Sequence, residues 1–233
     1  MHRIVYPILS LFVLAGCVAP QPIVKFQPAS EPSYWWHGKQ MLKQQANKLE
    51  TVINFEEADK QEVVFSLKIT NLGSDTVLIS PELFLSKYFA DSFNLNLAHR
   101  YSKNPETEIL NIDKSISRQN AQNANKTLTE LSFLAVAVTS DALSSEEGTP
   151  NTDQHLDDSH RRRVEAENYL LNTRNQKEFW ELDALRKTSL PPNYYLEGLV
   201  VFPMVAEAKS VNVILPINGS DCIFSYYIEQ IKP

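Results

Sequence analysis

Glycine is scarce in this chain, six in 233 residues. That is too few for backbone cradles around phosphate, and neither a P-loop nor a dinucleotide-binding glycine fingerprint is present. The G-x-S-x-G nucleophile elbow and the H-E-x-x-H zinc helix are missing too. Acidic pairs such as Glu56–Glu57 and Glu146–Glu147 are adjacent in sequence, which does not make them face each other across a substrate. Positive charge is in deficit: 22 Lys and Arg stand against 28 Asp and Glu, a formal net charge of -6. Such a balance argues against a nucleic-acid partner and against a basic face for anionic lipid. No internal repeat occurs. These gaps predict a non-enzymatic protein without cofactor or metal.

Long apolar runs are absent as well. The longest candidate, Ile4–Leu14, is interrupted by Pro7 and Ser10. A helix spanning the hydrocarbon core needs about 20 apolar residues, so this run is too short to anchor the chain. A basic residue, Arg3, precedes it, and small residues follow it. That order is the pattern of a secretory signal. Leu14-Ala15-Gly16-Cys17 then resembles the lipobox of bacterial lipoproteins. The resemblance implies a signal peptide over residues 1–16, cleavage before Cys17, and a diacylglycerol on its sulfur with acylation of its amine. Two or more acyl chains hold a protein stably on a bilayer, whereas one does so only marginally. Val18 stands where an aspartate would retain a Gram-negative lipoprotein at the inner membrane, so the resemblance leans to the outer membrane. The implied location is the cell envelope. Residues 17–33 carry Pro20, Pro22, Pro28 and Pro32, which favour an extended polyproline tether. With Cys17 lipidated, Cys222 has no disulfide partner in the chain.

The remainder, residues 34–233, is long enough for one large domain. In Lys60–Thr70, Val63, Phe65, Leu67 and Ile69 alternate with other residues, the period-two signature of a strand. Asn71–Ser74 then predicts a hairpin turn into Thr76–Ser80. Near the other end, Val211, Val213, Leu215 and Ile217 share one face, NGSD turns the chain, and Cys222, Phe224, Tyr226 and Ile228 share the next. Cys222 is therefore expected in the core. Leu190–Pro203 predicts another strand, and Thr51–Phe55 and parts of Leu83–Leu97 add more. Strands at both ends with turns between them predict an antiparallel β-sandwich.

The middle reads as helix. Asn104 suits an N-cap, Pro105 the first helical position, and Glu106 and Glu108 the positive end of the dipole. Ile109, Ile112, Ile116, Ala124, Leu128, Leu131, Ala135 and Val138 follow at helical spacing. Thr139–His160 holds no Lys or Arg and reads as an acidic loop, and a second helix is expected from Arg161 to about Arg186. Within the loop, Asp153, His155, Asp157, Asp158 and His160 read as solvated rather than metal-binding. Arg161–Arg163 reads as neutralising nearby acids. The order of strand, Asn-turn, strand, helical insertion and late L-P-P-N…G-L-V-V-F-P strand is similar to envelope lipoproteins with an immunoglobulin-like sandwich. The expected fold is thus α+β, an antiparallel immunoglobulin-like β-sandwich with a long helical-hairpin insertion over about 104–187.

Two surfaces are candidates for binding. Leu128, Leu131, Phe133, Leu134 and Val138, with Phe179 and Trp180 opposite, predict a contact with another envelope protein. Tyr34, Trp35 and Trp36 offer an alternative: aromatic platforms for glycan or peptidoglycan, unless they cap the base of the sandwich. For the anchor, metabolic labelling with a fatty acid is expected to mark the wild-type chain and to leave Cys17→Ser unlabelled. Label retained on that variant would contradict the lipobox.

Overall fold

The computed structural model describes residues 23–141 and 152–231, with the side chains of 126–160, 162, 163 and 166 left aside. The signal peptide, Cys17 and Val18–Pro22 lie outside the described residues. The architecture is α+β: antiparallel sheets, none closed into a barrel, together with two helices. One sheet has five strands in the order β1 (Ile23–Pro28), β12 (Ser220–Ile231), β11 (Ser210–Ile217), β7 (Leu85–Phe89) and β8 (Asn96–Tyr101). A second runs β10 (Tyr195–Pro203), β5 (Glu62–Asn71), β4 (Leu49–Ala58), β3 (Lys39–Ala46) and β2 (Tyr34–Trp36). A short ribbon pairs β6 (Val77–Ile79) with β9 (Thr188–Leu190).

The two large sheets share one core. From β5 come Val63, Phe65, Leu67 and Ile69, and from β11 Val211, Val213, Leu215 and Ile217, each series on one face as the alternation predicts. Cys222, Phe224, Tyr226 and Ile228 of β12 join them. Cys222 is buried as expected, its sulfur 3.9 Å from Thr51 Oγ1.

Tight turns fix the register. Asn218 and Gly219 both have positive φ (50° and 76°) and form a two-residue loop between β11 and β12. His37–Gly38 joins β2 to β3, and Asn47–Lys48 joins β3 to β4, in the same way. Paired positive φ angles match the right-handed twist of the strands, which is why Asn and Gly recur there.

Three expectations need correction. The proline-rich tether does not extend to residue 33, because Ile23–Pro28 pairs antiparallel with β12 and buries Val24 and Phe26. An edge strand tolerates proline, so the prolines around it do not forbid pairing. Next, Thr76–Ser80 does not form a hairpin with β5: β6 pairs with β9, while β5 is flanked by β4 and β10. Asn71 redirects the chain. Its amide nitrogen donates to the Asp75 carbonyl at 2.8 Å and the Leu190 carbonyl at 3.0 Å, and its Oδ1 accepts from Gly73 N–H at 2.9 Å. Lastly, α1 (Pro105–Asp141) and α2 (Thr152–Glu178) intrude on the predicted acidic loop from both sides. Residues 142–151 lie outside the described residues.

Helix α1 starts as predicted: Asn104 Oδ1 accepts from Glu106 N–H at 3.0 Å and Thr107 N–H at 3.4 Å. The start of α1 and the turn that follows α2 pack on the outer face of the second sheet. Trp180 and Ala184 pack there with Val64 and Val201, and Ile109, Ile112 and Phe179 close around them. A π-helical turn at Phe179–Asp183 leads into this seat. Gly198 permits the close approach: a Cβ would stand 3.0 Å from the Leu185 nitrogen and 3.1 Å from the Asp183 carbonyl oxygen. Among the described residues no helix is long and apolar enough to cross a membrane.

Burial raises the proton affinity of three core groups: the Cys222 thiol, the Tyr88 phenol (pushed up to about 12) and the Tyr226 phenol. Above about pH 9 an unfolded chain loses these protons before the folded one does, so stability falls as pH rises. Urea midpoints are expected to hold level between about pH 6 and 8 and to decline above about 9. A midpoint rising at alkaline pH would contradict this burial.

Candidate functional site

At one margin of the core the two large sheets part, leaving a cleft of about 310 Å³. Its floor is aromatic. Phe26 from β1 stacks on Phe55 from β4, ring centroids 5.0 Å apart, and Tyr226 from β12 lies 6.4 Å from Phe26. One wall is the β2–β3 hairpin, contributing Trp35, Gly38, Lys39 and Gln40, and Gln27 and Pro28 of β1 contribute from the other sheet.

A bulge positions the charged group. Phe55 pairs with Phe65 and Glu57 with Val64, so Glu56 is the extra residue of β4. Bulges re-aim a side chain that regular pairing would direct elsewhere. Glu56 lines the cleft, where it is ion-paired with Lys39 and accepts a hydrogen bond from Asn54 Nδ2 at 2.8 Å. The bulge also preserves the alternation on either side of itself, since Phe55 and Ala58 both pack against the core.

Tyr226 is the exception to a well-satisfied interior. Its side chain is fully buried, and its hydroxyl is the one buried side-chain polar atom among the described residues without a hydrogen-bond partner. Tyr88, equally buried, donates to the Pro203 carbonyl at 2.9 Å. An unsatisfied buried hydroxyl costs about 1–3 kcal/mol.

A larger, more polar recess of about 520 Å³ lies on the far side of the β1–β2 connection. There Gln44 of β3 pairs its amide with the Ile223 backbone, donating to the carbonyl at 2.6 Å and accepting from the N–H at 3.1 Å. This pairing occupies β12 main-chain groups beyond the end of β1. Phe93 and Tyr227 border the recess, their rings 5.3 Å apart.

No protein-family model, curated protein or solved structure matches the chain. The site therefore rests on its own geometry.

The predicted site residues fall in different places. Tyr34, Trp35 and Trp36 form the edge strand β2 and are exposed, Trp35 by 62% and Trp36 by 61%, so they do not cap the core. Of the three only Trp35 lines the cleft; Trp36 turns edge-on to His37 at 4.7 Å. Trp180, expected on a partner-facing surface, is 7% exposed and holds the helices to the sheet, with Phe179 beside it. Leu128, Leu131, Phe133, Leu134 and Val138 lie on α1, and their side chains fall outside the described residues. Among the described residues no group of three or more His, Cys, Asp or Glu could hold a metal ion. Arg161 stands 3.9 Å from Glu165, one turn on, with both exposed.

Sequence reading assigned no binding role to Phe26, Lys39, Phe55, Glu56 or Tyr226. Tyr226 alone carried a signal: in the inward register Cys222, Phe224, Tyr226, Ile228 it is the member with a strong hydrogen-bonding group. Tyr226→Phe is expected to raise unfolding stability by about 1 kcal/mol, because it removes an unpaired hydroxyl and leaves the ring. Thermal and urea unfolding measure it; a loss of stability would mean that the hydroxyl has a partner.

Proposed function

We propose that this protein is a non-enzymatic, lipid-anchored component of the bacterial cell envelope, tethered through Cys17 and acting as an interaction or assembly module. In this reading the two large sheets are an immunoglobulin-like sandwich, the helices are a hairpin inserted into it, and the partner is another envelope protein. The outer membrane is the favoured location in a Gram-negative cell. The observation that carries the reading is how the helices are held. Their base is fixed by the Trp180 seat, by Arg186 bidentate to Glu106 at 2.7 and 2.9 Å, and by Lys177 to Asp113 at 2.7 Å. Ser115 and Tyr169 join α1 to α2 at 2.7 Å. Beyond Ile112, α1 continues for about 40 Å at 1.5 Å per residue, carrying the apolar segment Leu128–Val138. A firmly seated helix with an apolar far end suits a contact made away from the sheets.

Crosslinking in cells identifies what co-purifies with the chain. Leu128→Glu combined with Leu131→Glu is expected to abolish that co-purification while the thermal transition of the sheets stays in place. Unchanged co-purification would overturn the arm as a docking element.

A second reading, a lipoprotein that binds glycan or peptidoglycan, is favoured by the exposure of Trp35 and Trp36 on an edge strand. Sedimentation with purified cell wall tests it. Wild type is expected to sediment, and the double variant Trp35→Ala, Trp36→Ala to stay in solution. A wild-type chain that stays in solution would remove this reading.

A further inference from the structure

We infer that the end of the two large sheets carrying the β2–β3 turn rests on a lipid bilayer, with the Trp35 and Trp36 indoles at the headgroup level of the membrane that holds Cys17. The inference deepens the lipid-anchored reading and rests on it.

A short leash sets the distance. Ile23 already pairs with Ile231, and it stands six residues on from Cys17. At about 3.5 Å per residue those positions span at most about 20 Å, whatever path they take. An anchored Cys17 therefore keeps the start of β1 within that reach of the lipid. A tether running to residue 33 would have released the folded chain much further.

Strand direction decides which surface is brought along. Gln44 of β3 is bonded to Ile223 of β12, and Asn47, just past β3, donates to the Asn218 carbonyl, just before β12, at 2.9 Å. Residue numbers that rise along β3 thus fall along β12, so the start of β3 lies towards Ile231. The cleft agrees, since Gly38 and Lys39 line it together with Lys25 and Phe26. Ile23, Ile231 and the turn at His37–Gly38 are grouped at one end. Exposed apolar side chains gather there: Ile23 is 57% and Ile231 42% exposed, beside the two indoles.

The chemistry of this end suits the boundary between water and lipid. An indole joins a large apolar body to one N–H donor, which is what the headgroup region accommodates. Neighbours in a strand project to opposite faces, so Trp35 and Trp36 give the hairpin an indole on each side. Charge does not drive the contact. Lys25 and Lys60 share this end with Glu57 and Asp59, and Lys39 is ion-paired with Glu56. Adhesion thus falls to the aromatic and aliphatic groups. A weak contact is enough, because a short leash gives a tethered surface an effective concentration of about millimolar. A glycan would compete for the same indoles, but nothing holds it beside them in advance.

The test uses the full lipidated chain, reconstituted in vesicles of phosphatidylethanolamine with phosphatidylglycerol. The vesicles are made with and without acyl chains brominated near the headgroup, since bromine quenches only indoles that touch the lipid. The chain has three tryptophans, and Trp180, buried in the helix seat, is the internal reference. Brominated lipid is expected to lower wild-type emission about twofold. The double variant Trp35→Phe, Trp36→Phe is expected to lose that quenching while keeping its melting temperature and its fatty-acid label on Cys17.

A labelled chain whose emission ignores brominated lipid would overturn the inference and leave the anchor standing. A chain without label on Cys17 would remove the anchor and the inference together. Quenching of the double variant as strong as that of wild type would place the contact elsewhere and also overturn it. Emission that ignores brominated lipid but shifts with purified peptidoglycan would assign the hairpin to glycan instead.

Discussion

The packing of Phe65 against rings from both sheets is the interaction on which the remaining architecture depends. Phe65 is fully buried on β5, with Phe26 at 5.7 Å, Phe55 at 6.2 Å, Phe202 at 6.2 Å and Tyr226 at 5.1 Å. Those partners come from β1, β4, β10 and β12, so a single ring ties four strands of two sheets together. Offset and edge-on contacts of this kind add about 0.5–1.5 kcal/mol each beyond the area they bury. Around that centre the aliphatic series of β5 and β11 complete the core.

The same cluster borders the cleft at the margin of the core. Large rings from opposite sheets hold the layers apart at the margin, where β1 passes to β2. Phe26, Phe55 and Tyr226 belong at once to the core and to the floor of the cleft. Their rotamers are fixed by packing, so the floor needs little ordering when something binds. The edge strand β2, three residues long and paired on one side only, supplies the solvent-facing wall.

Much of the fold was legible in the sequence because its signals are local. The alternation in Val63–Ile69 and Val211–Ile217 reports the inward faces directly, the Asn218–Gly219 turn reports a hairpin, and Asn104-Pro105 reports a helix start. What was not legible depends on partners distant in sequence. Strand β1 looks like tether until β12 is available to pair with it. The turn after β5 looks like a hairpin until Asn71 is seen bonded to Leu190, far along the chain. Trp180 reads as part of a partner-facing surface; only the outer face of β5 and β10 makes it a buried seat. The cleft was hidden for the same reason. Its members come from β1, the β2–β3 hairpin, β4 and β12, and nothing in their spacing brings them together. The three aromatics at 34–36 form the edge strand β2, and nothing in their sequence separates Trp35, which lines the cleft, from Trp36.

The contrast between Tyr88 and Tyr226 takes the argument one step further. Both phenols are buried and both are inward members of their strands, yet one is paired with the Pro203 carbonyl and the other is not. Phenylalanine at 226 would fill the same space beside Phe65 without an unpaired oxygen, and core positions to either side are filled by apolar groups. The folded chain by itself thus gains nothing from this hydroxyl and loses stability by it. Tyr226 lines the cleft beneath the exposed Trp35. Its hydroxyl has essentially no accessible surface, so the cost falls on the folded chain itself, and Tyr226→Phe relieves it without opening the core.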